Sequence, residues 1–307
     1  MPVPQIIRDP NHIVIIGAGF AGLALALFLN AHSIPCTIYE ARSRSSTAST
    51  SGIIGLAPNA LRVLCHLGNG IYARLLRRGF THEKITIYNA GGAKLIAPNL
   101  GNQRLYGFKS LAVSRRVVQE ELVRAAEERG IVVRWSMKCV GVEDEDAEGV
   151  SVVFESGEVV RASWVVGADG MFSVLRRYVS PDAAAPAYHG VVRVAGTFSA
   201  KDVPDVLKKE AEGGFDYPCI LTLKDGNFGI FPADHVGEEI AFSCYFEVPE
   251  DGRGRAEWRQ FGEDKKAMVE MVRRKFGSEE TVWPNLVKVV CETLDEEKML
   301  AWPYVIS

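Results

Sequence analysis

Two short apolar blocks joined by a helical run dominate the first forty positions. Ile13–Ile16 is apolar and β-branched, as expected of a strand buried on both faces. Leu23 to Leu29 follow without a breaker and predict a helix; Cys36 to Tyr39 form a second apolar strand that ends at Glu40. Between the first strand and the helix stands Gly17-Ala-Gly19-Phe-Ala-Gly22. In a strand–turn–helix setting the first glycine makes the tight turn, the second lets backbone approach a pyrophosphate, and the third lets the helix pack on the strand. The helix N-terminus offers free N–H groups to phosphates. Glu40 has the spacing at which a carboxylate accepts hydrogen bonds from a ribose. These residues predict an adenine-dinucleotide site and leave FAD and NAD both open.

A polar loop from Ala41 to Gly52 follows, of a length that is usually functional or disordered. Pro58 suits the first turn of a helix with Leu61, Leu64 and Cys65 on its inner face. A short helix over 71–78 and strands over 84–88 and 93–96, turning at Gly91-Gly92, predict a β-rich insertion into the first domain. Ser114 to Gly130 has a helical period, with Ser114 as N-cap and Gly130 just past the end. Arg115 opens that helix, where a cation gains nothing from the dipole. An anionic partner would account for it; a solvated surface arginine is the alternative. Segments 131–135, 138–143, 149–155 and 158–162 read as antiparallel strands. Trp164 to Gly167 repeats the opening theme, running into Gly167-Ala-Asp169-Gly170 and a helix from about Met171. Asp169 either caps that helix or is oriented on a cofactor; the bracketing glycines favour the cofactor.

The character changes at Pro181. Strand-like segments 190–198, 217–223, 227–231 and 239–247 predict a second, mainly antiparallel domain. A helix over 257–276 carries Met268, Met271, Val272 and Phe276 as a core stripe; 283–298 is helical or mixed, and 301–307 is extended.

Composition removes several alternatives. The 307 residues carry a net charge of −3, which gives no reason to expect nucleic acid or an anionic membrane. Cysteines at 36, 65, 139, 219, 244 and 291 form no Cys-x-x-Cys pair, so neither a disulfide framework nor a zinc site is expected. The histidines lack ligand spacing, and no metal is expected. The N-terminus has no signal architecture and no apolar run spans a bilayer; the expected address is cytoplasmic.

Gly17-x-Gly19-x-x-Gly22 with Glu40, Ser114-Arg115 opening a helix, and Gly167-Ala168-Asp169-Gly170 with Ser173 and Arg176 together resemble FAD-dependent aromatic-ring monooxygenases. These are the p-hydroxybenzoate and salicylate hydroxylase-like flavoproteins. The stretch from Gly55 to Leu64 resembles their loop and helix beside the flavin. The resemblance implies an α/β fold: a Rossmann-like, glutathione-reductase-like FAD-binding domain with a two-layer insertion, and a mainly antiparallel β substrate domain. Expected boundaries are 1–180 for the FAD-binding domain, 181–280 for the substrate domain, and 281–307 for an incomplete return to the first. It also implies FAD held by Gly17, Gly19, Gly22, Glu40, Arg115, Asp169 and Gly170. NAD(P)H would be a co-substrate without its own Rossmann domain. One atom of O2 would pass through a flavin C4a-hydroperoxide to an aromatic or polyketide-like small molecule. Arg193 and Tyr217 match proposed active-site residues of the family, although an outward-facing arginine among Val191, Val192 and Val194 is the plain alternative. Phe198, Phe215, Tyr217, Phe228, Phe231 and Phe242 are candidate pocket walls, with core packing as the competing role. One departure stands out: the family's Gly-Asp dipeptide is absent. That absence favours a non-catalytic dinucleotide-binding remnant as an alternative; another FAD oxidoreductase of the same architecture is a separate, narrower one.

Overall fold

The computed structural model describes residues 6–8, 13–47, 52–202, 215–223, 226–248, 255–278 and 285–306. The chain's first five residues, part of the polar loop at 48–51, and Trp283 lie outside these.

Four parallel strands make the first sheet, in the order Trp164–Gly167, Ile13–Ile16, Cys36–Tyr39 and Val132–Arg134. Alternation sorts its side chains between two cores. Ile15 and Ile38 face the helices Phe20–Ala31 and Arg115–Glu128. Val14, Ile16 and Tyr39 face a second sheet, where Tyr39 stacks on Phe154. That second sheet runs Ile6–Arg8, Val159–Ala162, Gly149–Phe154 and Cys139–Asp146. The expectation that 131–135 is antiparallel is corrected: Val132–Arg134 pairs parallel with Thr37–Tyr39. The helix that leads into it is a crossover, and a crossover returns a strand in parallel.

A three-stranded sheet of Ile53–Leu56, Ser110–Ser114 and Phe80–His82 sits beside the turn. It carries the helix Pro58–His66, whose buried residues are Pro58, Leu61 and Leu64. Their three-residue spacing rotates Cys65 outward, so it is exposed rather than on the inner face.

The second domain is built on seven strands, in the order Leu300–Ile306, Ala187–Ser199, Glu239–Glu247, Gly226–Pro232, Cys219–Leu223, Thr86–Asn89 and Lys94–Ile96. One face packs on the helices Lys265–Val272 and Asn285–Glu292, with Val192, Val194, Phe228, Phe242, Phe276 and Val290 in a common core. Two placements differ from the sequence reading. The hairpin 86–96 joins this sheet by parallel pairing of Thr86 with Cys219. Helix Asn285–Glu292 and strand Leu300–Ile306 also belong here, the strand antiparallel to 187–195. An apolar helix stripe of Leu286, Val287 and Val290 is buried by this sheet, which is what holds the segment in the second unit instead of the first. Among the described residues no helix is long and apolar enough to cross a membrane.

Candidate functional site

The glycine turn, Glu40 and Asp169 lie at the carboxyl ends of three adjacent parallel strands, where open α/β sheets bind ligands; Arg115 follows an antiparallel strand of the neighbouring sheet. Gly17 adopts φ +108°, and a Cβ there would lie 2.4 Å from the Ala168 carbonyl oxygen. The two glycine turns therefore touch backbone to backbone. A Cβ at Gly22 would lie 2.0 Å from the Gly17 oxygen, whereas one at Gly19 would meet nothing within 4 Å. Gly19 is the N-cap of helix Phe20–Ala31, and no side chain caps it. Among the described residues no side chain satisfies the first-turn N–H groups.

Glu40 braces this turn. Its Oε2 accepts from the Ala18 N–H at 2.7 Å and its Oε1 from the Arg42 N–H at 2.9 Å. Gln119, on helix Arg115–Glu128, donates its amide to the Ala18 carbonyl oxygen. The sequence reading missed Gln119. The available signal was a polar residue on a helix face otherwise formed by Val118, Leu122, Val123 and Ala126. Gln119 also lines a cavity of about 740 Å³ with Arg44, Ser45, Val123, Arg124, Glu127 and Trp135. This cavity adjoins the Glu40 end of the sheet, where Met137 N–H bonds the Glu40 carbonyl.

Asp169 serves its own helix. Its Oδ1 accepts from the Ser173 hydroxyl at 2.6 Å and its Oδ2 from the Val174 N–H at 2.7 Å. That helix, Val174–Val179, begins three residues later than expected, and Ser173 caps it through the Arg176 N–H. The capping role is the one the geometry displays. Gly170, at φ +80°, makes the turn that allows it.

Arg115 also begins its helix, although Ser114 stands at the N-cap without a side-chain cap bond. The Arg115 guanidinium lies 5.2 Å from the centre of the Phe20 ring, above the first turn of the dinucleotide helix. Burial first, then the positive charge of Arg193, lower its pKa. Arg193 comes from the second domain. Val192 and Val194 face the helix-side core, so Arg193 between them faces the other way, towards Arg115. Its Nε donates to the buried Ser243 hydroxyl at 2.9 Å, and its guanidinium lies 5.2 Å from the centre of the Tyr245 ring. Arg115 stands over the first turn of the dinucleotide helix, and Arg193 is near enough to act on it electrostatically, an arrangement that favours an anionic ligand.

Tyr217 is not part of this cluster. Arg193 is in register with Tyr245, Asn227 and Thr222 across the sheet. Tyr217 lies three strand spacings away and five residues further along, on the order of 20 Å. It packs against the helix-side core, opposite the Arg193 face, and among the described residues its buried hydroxyl has no partner. Burial raises its pKa strongly. Arg193 and Tyr217 thus lie apart in this structure. Phe198, Phe228 and Phe242 are likewise core residues rather than pocket walls.

The sequence profile of the FAD binding domain family matches residues 11–286. The chain belongs to this family. Open space at Gly19, uncapped helix N–H groups and the Arg115 cation fit the diphosphate of FAD. Among relatives of this FAD-binding chain, 3-amino-4-hydroxybenzoate 2-monooxygenase PtmB3 of Streptomyces platensis is 34% identical over 252 residues, covering 80% of the chain and 59% of the relative. The 3-amino-4-hydroxybenzoate 2-monooxygenase of Streptomyces cremeus is 31% identical over 256 residues, covering 79% and 58%. The chain thus spans under three-fifths of the length of these curated relatives. In fold it is similar to Klebsiella pneumoniae HpxO complexed with FAD and uric acid, with a TM-score of 0.75 at 20% identity over 97% of the chain and 68% of that protein. Among the described residues no cluster could hold a metal ion.

Proposed function

We propose that this chain forms the FAD-binding and substrate-facing part of a monooxygenase that uses NAD(P)H and O2 to place one oxygen atom on an electron-rich aromatic small molecule. The observation that carries the reading is the Arg115 guanidinium over Phe20 at the first turn of the dinucleotide helix, with Arg193 near enough to act on its charge. FAD, when bound, supplies the redox chemistry: electrons taken from NAD(P)H and activation of O2. The protein's part is positional. The turn at Gly17, Gly19 and Gly22 receives the diphosphate, Glu40 braces the turn and accepts from the ribose, and Arg115 neutralises phosphate charge. Asp169 and Gly170 shape the neighbouring turn. Arg193, kept in place by Ser243 and Tyr245, meets a carboxylate or phenolate of the substrate. No group here is assigned as a catalytic base.

The test uses the 307-residue protein with FAD, NADPH or NADH, and 3-amino-4-hydroxybenzoate as probe among related hydroxybenzoates. Expected are a yellow protein, substrate-stimulated NAD(P)H oxidation, and ¹⁸O from O2 in the product. A folded protein that takes up no FAD would refute the reading. Turnover without ¹⁸O incorporation would point to a different FAD oxidoreductase.

One feature favours a second reading, FAD binding without turnover. Among the described residues the outer edge strand Trp164–Gly167 has a partner on one side only, and Trp164 is 71% exposed, although strands of parallel sheets are ordinarily covered. Substrate-stimulated oxygen consumption rules this alternative out.

A further inference from the structure

We infer that Gln119 is the positioning residue of the dinucleotide turn: by holding the Ala18 carbonyl it aims the Gly19 N–H at the cofactor diphosphate. This rests on FAD occupying the turn, as proposed above.

Two different peptide groups meet at Ala18. Glu40 accepts the N–H of the Gly17–Ala18 peptide at 2.7 Å, and Gln119 donates to the carbonyl of the Ala18–Gly19 peptide. In a trans peptide the C=O and N–H point in opposite directions. Holding the Ala18 oxygen against Gln119 therefore turns the Gly19 N–H away from the helix Arg115–Glu128. A Cβ built at Gly19 would meet nothing within 4 Å. Among the described residues that N–H has no acceptor. Gly17 and Gly19 flank Ala18 and offer little conformational resistance of their own. With neither neighbour carrying a side chain, the orientation of this peptide depends on what grips it. Ala18 is itself 1% exposed, so water does not supply the alternative partner.

Gln119 suits that duty. It is 7% exposed, it lies one turn from Arg115 on the same helix, and it borders the cavity beside Glu40. A buried amide needs its hydrogen bonds, and the one formed here spans 101 residues of sequence. The same helix thus brings a cation and a peptide clamp to the turn together. Glu40 fixes one side of Ala18 from the strand end, and Gln119 fixes the other from the helix.

Gln119→Leu keeps the side chain's bulk and removes the donor. The expected result is a FAD dissociation constant raised roughly 5- to 30-fold, the range for one hydrogen bond that preorganises a site. The apoprotein should unfold within a few degrees of wild type. Gln119→Glu replaces the donor by an acceptor at neutral pH and restores a donor when protonated. Its affinity deficit relative to wild type should narrow between about pH 8 and about pH 5.5, a readout that loss of packing would not produce. Leu122→Ala, at a buried position on the same helix, serves as the packing control and should lower thermal stability while leaving FAD affinity within about twofold. Affinity is measured by quenching of flavin fluorescence, well below each melting midpoint. Gln119→Leu binding within about twofold of wild type overturns the inference. So does an equal loss in Leu122→Ala, or failure of both Gln119 variants to fold, since Gln119 would then belong to the core. Wild-type protein that takes up no FAD defeats the underlying functional reading instead, and the inference falls with it.

Discussion

Gly19 and Gly22 are three residues apart in one motif, yet alanine at each should fail for a different reason. At Gly22 an added Cβ would lie 2.0 Å from the Gly17 carbonyl oxygen, where ordinary contact begins near 3.4 Å. The Cβ is fixed by its own backbone and meets a backbone oxygen, so no rotamer relieves the clash, and helix Phe20–Ala31 must back away from the turn by about 1.4 Å. Overpacking of this kind costs about 1–3 kcal/mol, and the rigid partner puts Gly22→Ala at the upper end. Gly19 sits at φ −71° with open space around it. Alanine there loses a little as an N-cap and gains a few tenths of a kcal/mol by restricting the unfolded chain. The apoprotein should change by no more than about 0.5 kcal/mol. The methyl group, however, occupies the approach of the diphosphate and lengthens charge-assisted hydrogen bonds from the helix N-terminus. At least a tenfold loss of FAD affinity is expected, about 1.4 kcal/mol. Urea unfolding of the two apoproteins followed by circular dichroism, and FAD titration followed by fluorescence, separate the effects. Gly19→Ala with wild-type FAD affinity would refute the diphosphate assignment. Gly22→Ala with wild-type stability would refute the close approach of helix and turn.

Three further outcomes follow from the same structure. Glu121 is 1% exposed and pairs with Arg74, with Arg124 at 3.1 Å and with Arg78 at 3.7 Å; Glu121→Ala leaves the Arg74 cation without its counter-charge and should cost about 3–5 kcal/mol in urea unfolding, whereas a loss below about 1 kcal/mol would mean the network is screened like a surface pair. Tyr217→Phe removes a buried hydroxyl with no partner among the described residues and should be neutral or stabilising by about 1 kcal/mol, with turnover unchanged; a fall in kcat with an intact fold would support the catalytic role its resemblance suggested. Burial lowers the His82 pKa below its ordinary 6.5, so the unfolded chain binds that proton more readily than the native one. The His82 contribution is complete above about pH 6.5 and is lost as pH falls from there through the depressed native value. Wild-type stability should therefore drop more steeply on acidification than that of His82→Gln, and parallel pH profiles would contradict the assignment.

The sequence by itself determined the parts whose physics is local. A β-branched strand, a glycine turn, an uninterrupted helix and a strand ending in an acid are written within thirty residues, and period and spacing suffice to read them. The alternating strands of 219–223, 226–232 and 239–247 were legible for the same reason. Tertiary structure decided everything that depends on which distant surfaces meet. Nothing near residue 86 announces that its hairpin extends the second domain's sheet, because that follows from pairing with Cys219–Thr222. Arg193 and Tyr217 look alike in sequence as polar residues beside apolar strands. Their separation comes from strand order and from which face each occupies. That Asp169 caps its own helix became visible only from the positions of Ser173 and Val174. Gln119 read as an ordinary helical residue until folding brought it to Ala18 across 101 positions. Local periodicity fixes which face of an element is buried; the partner that buries it is a property of the whole chain.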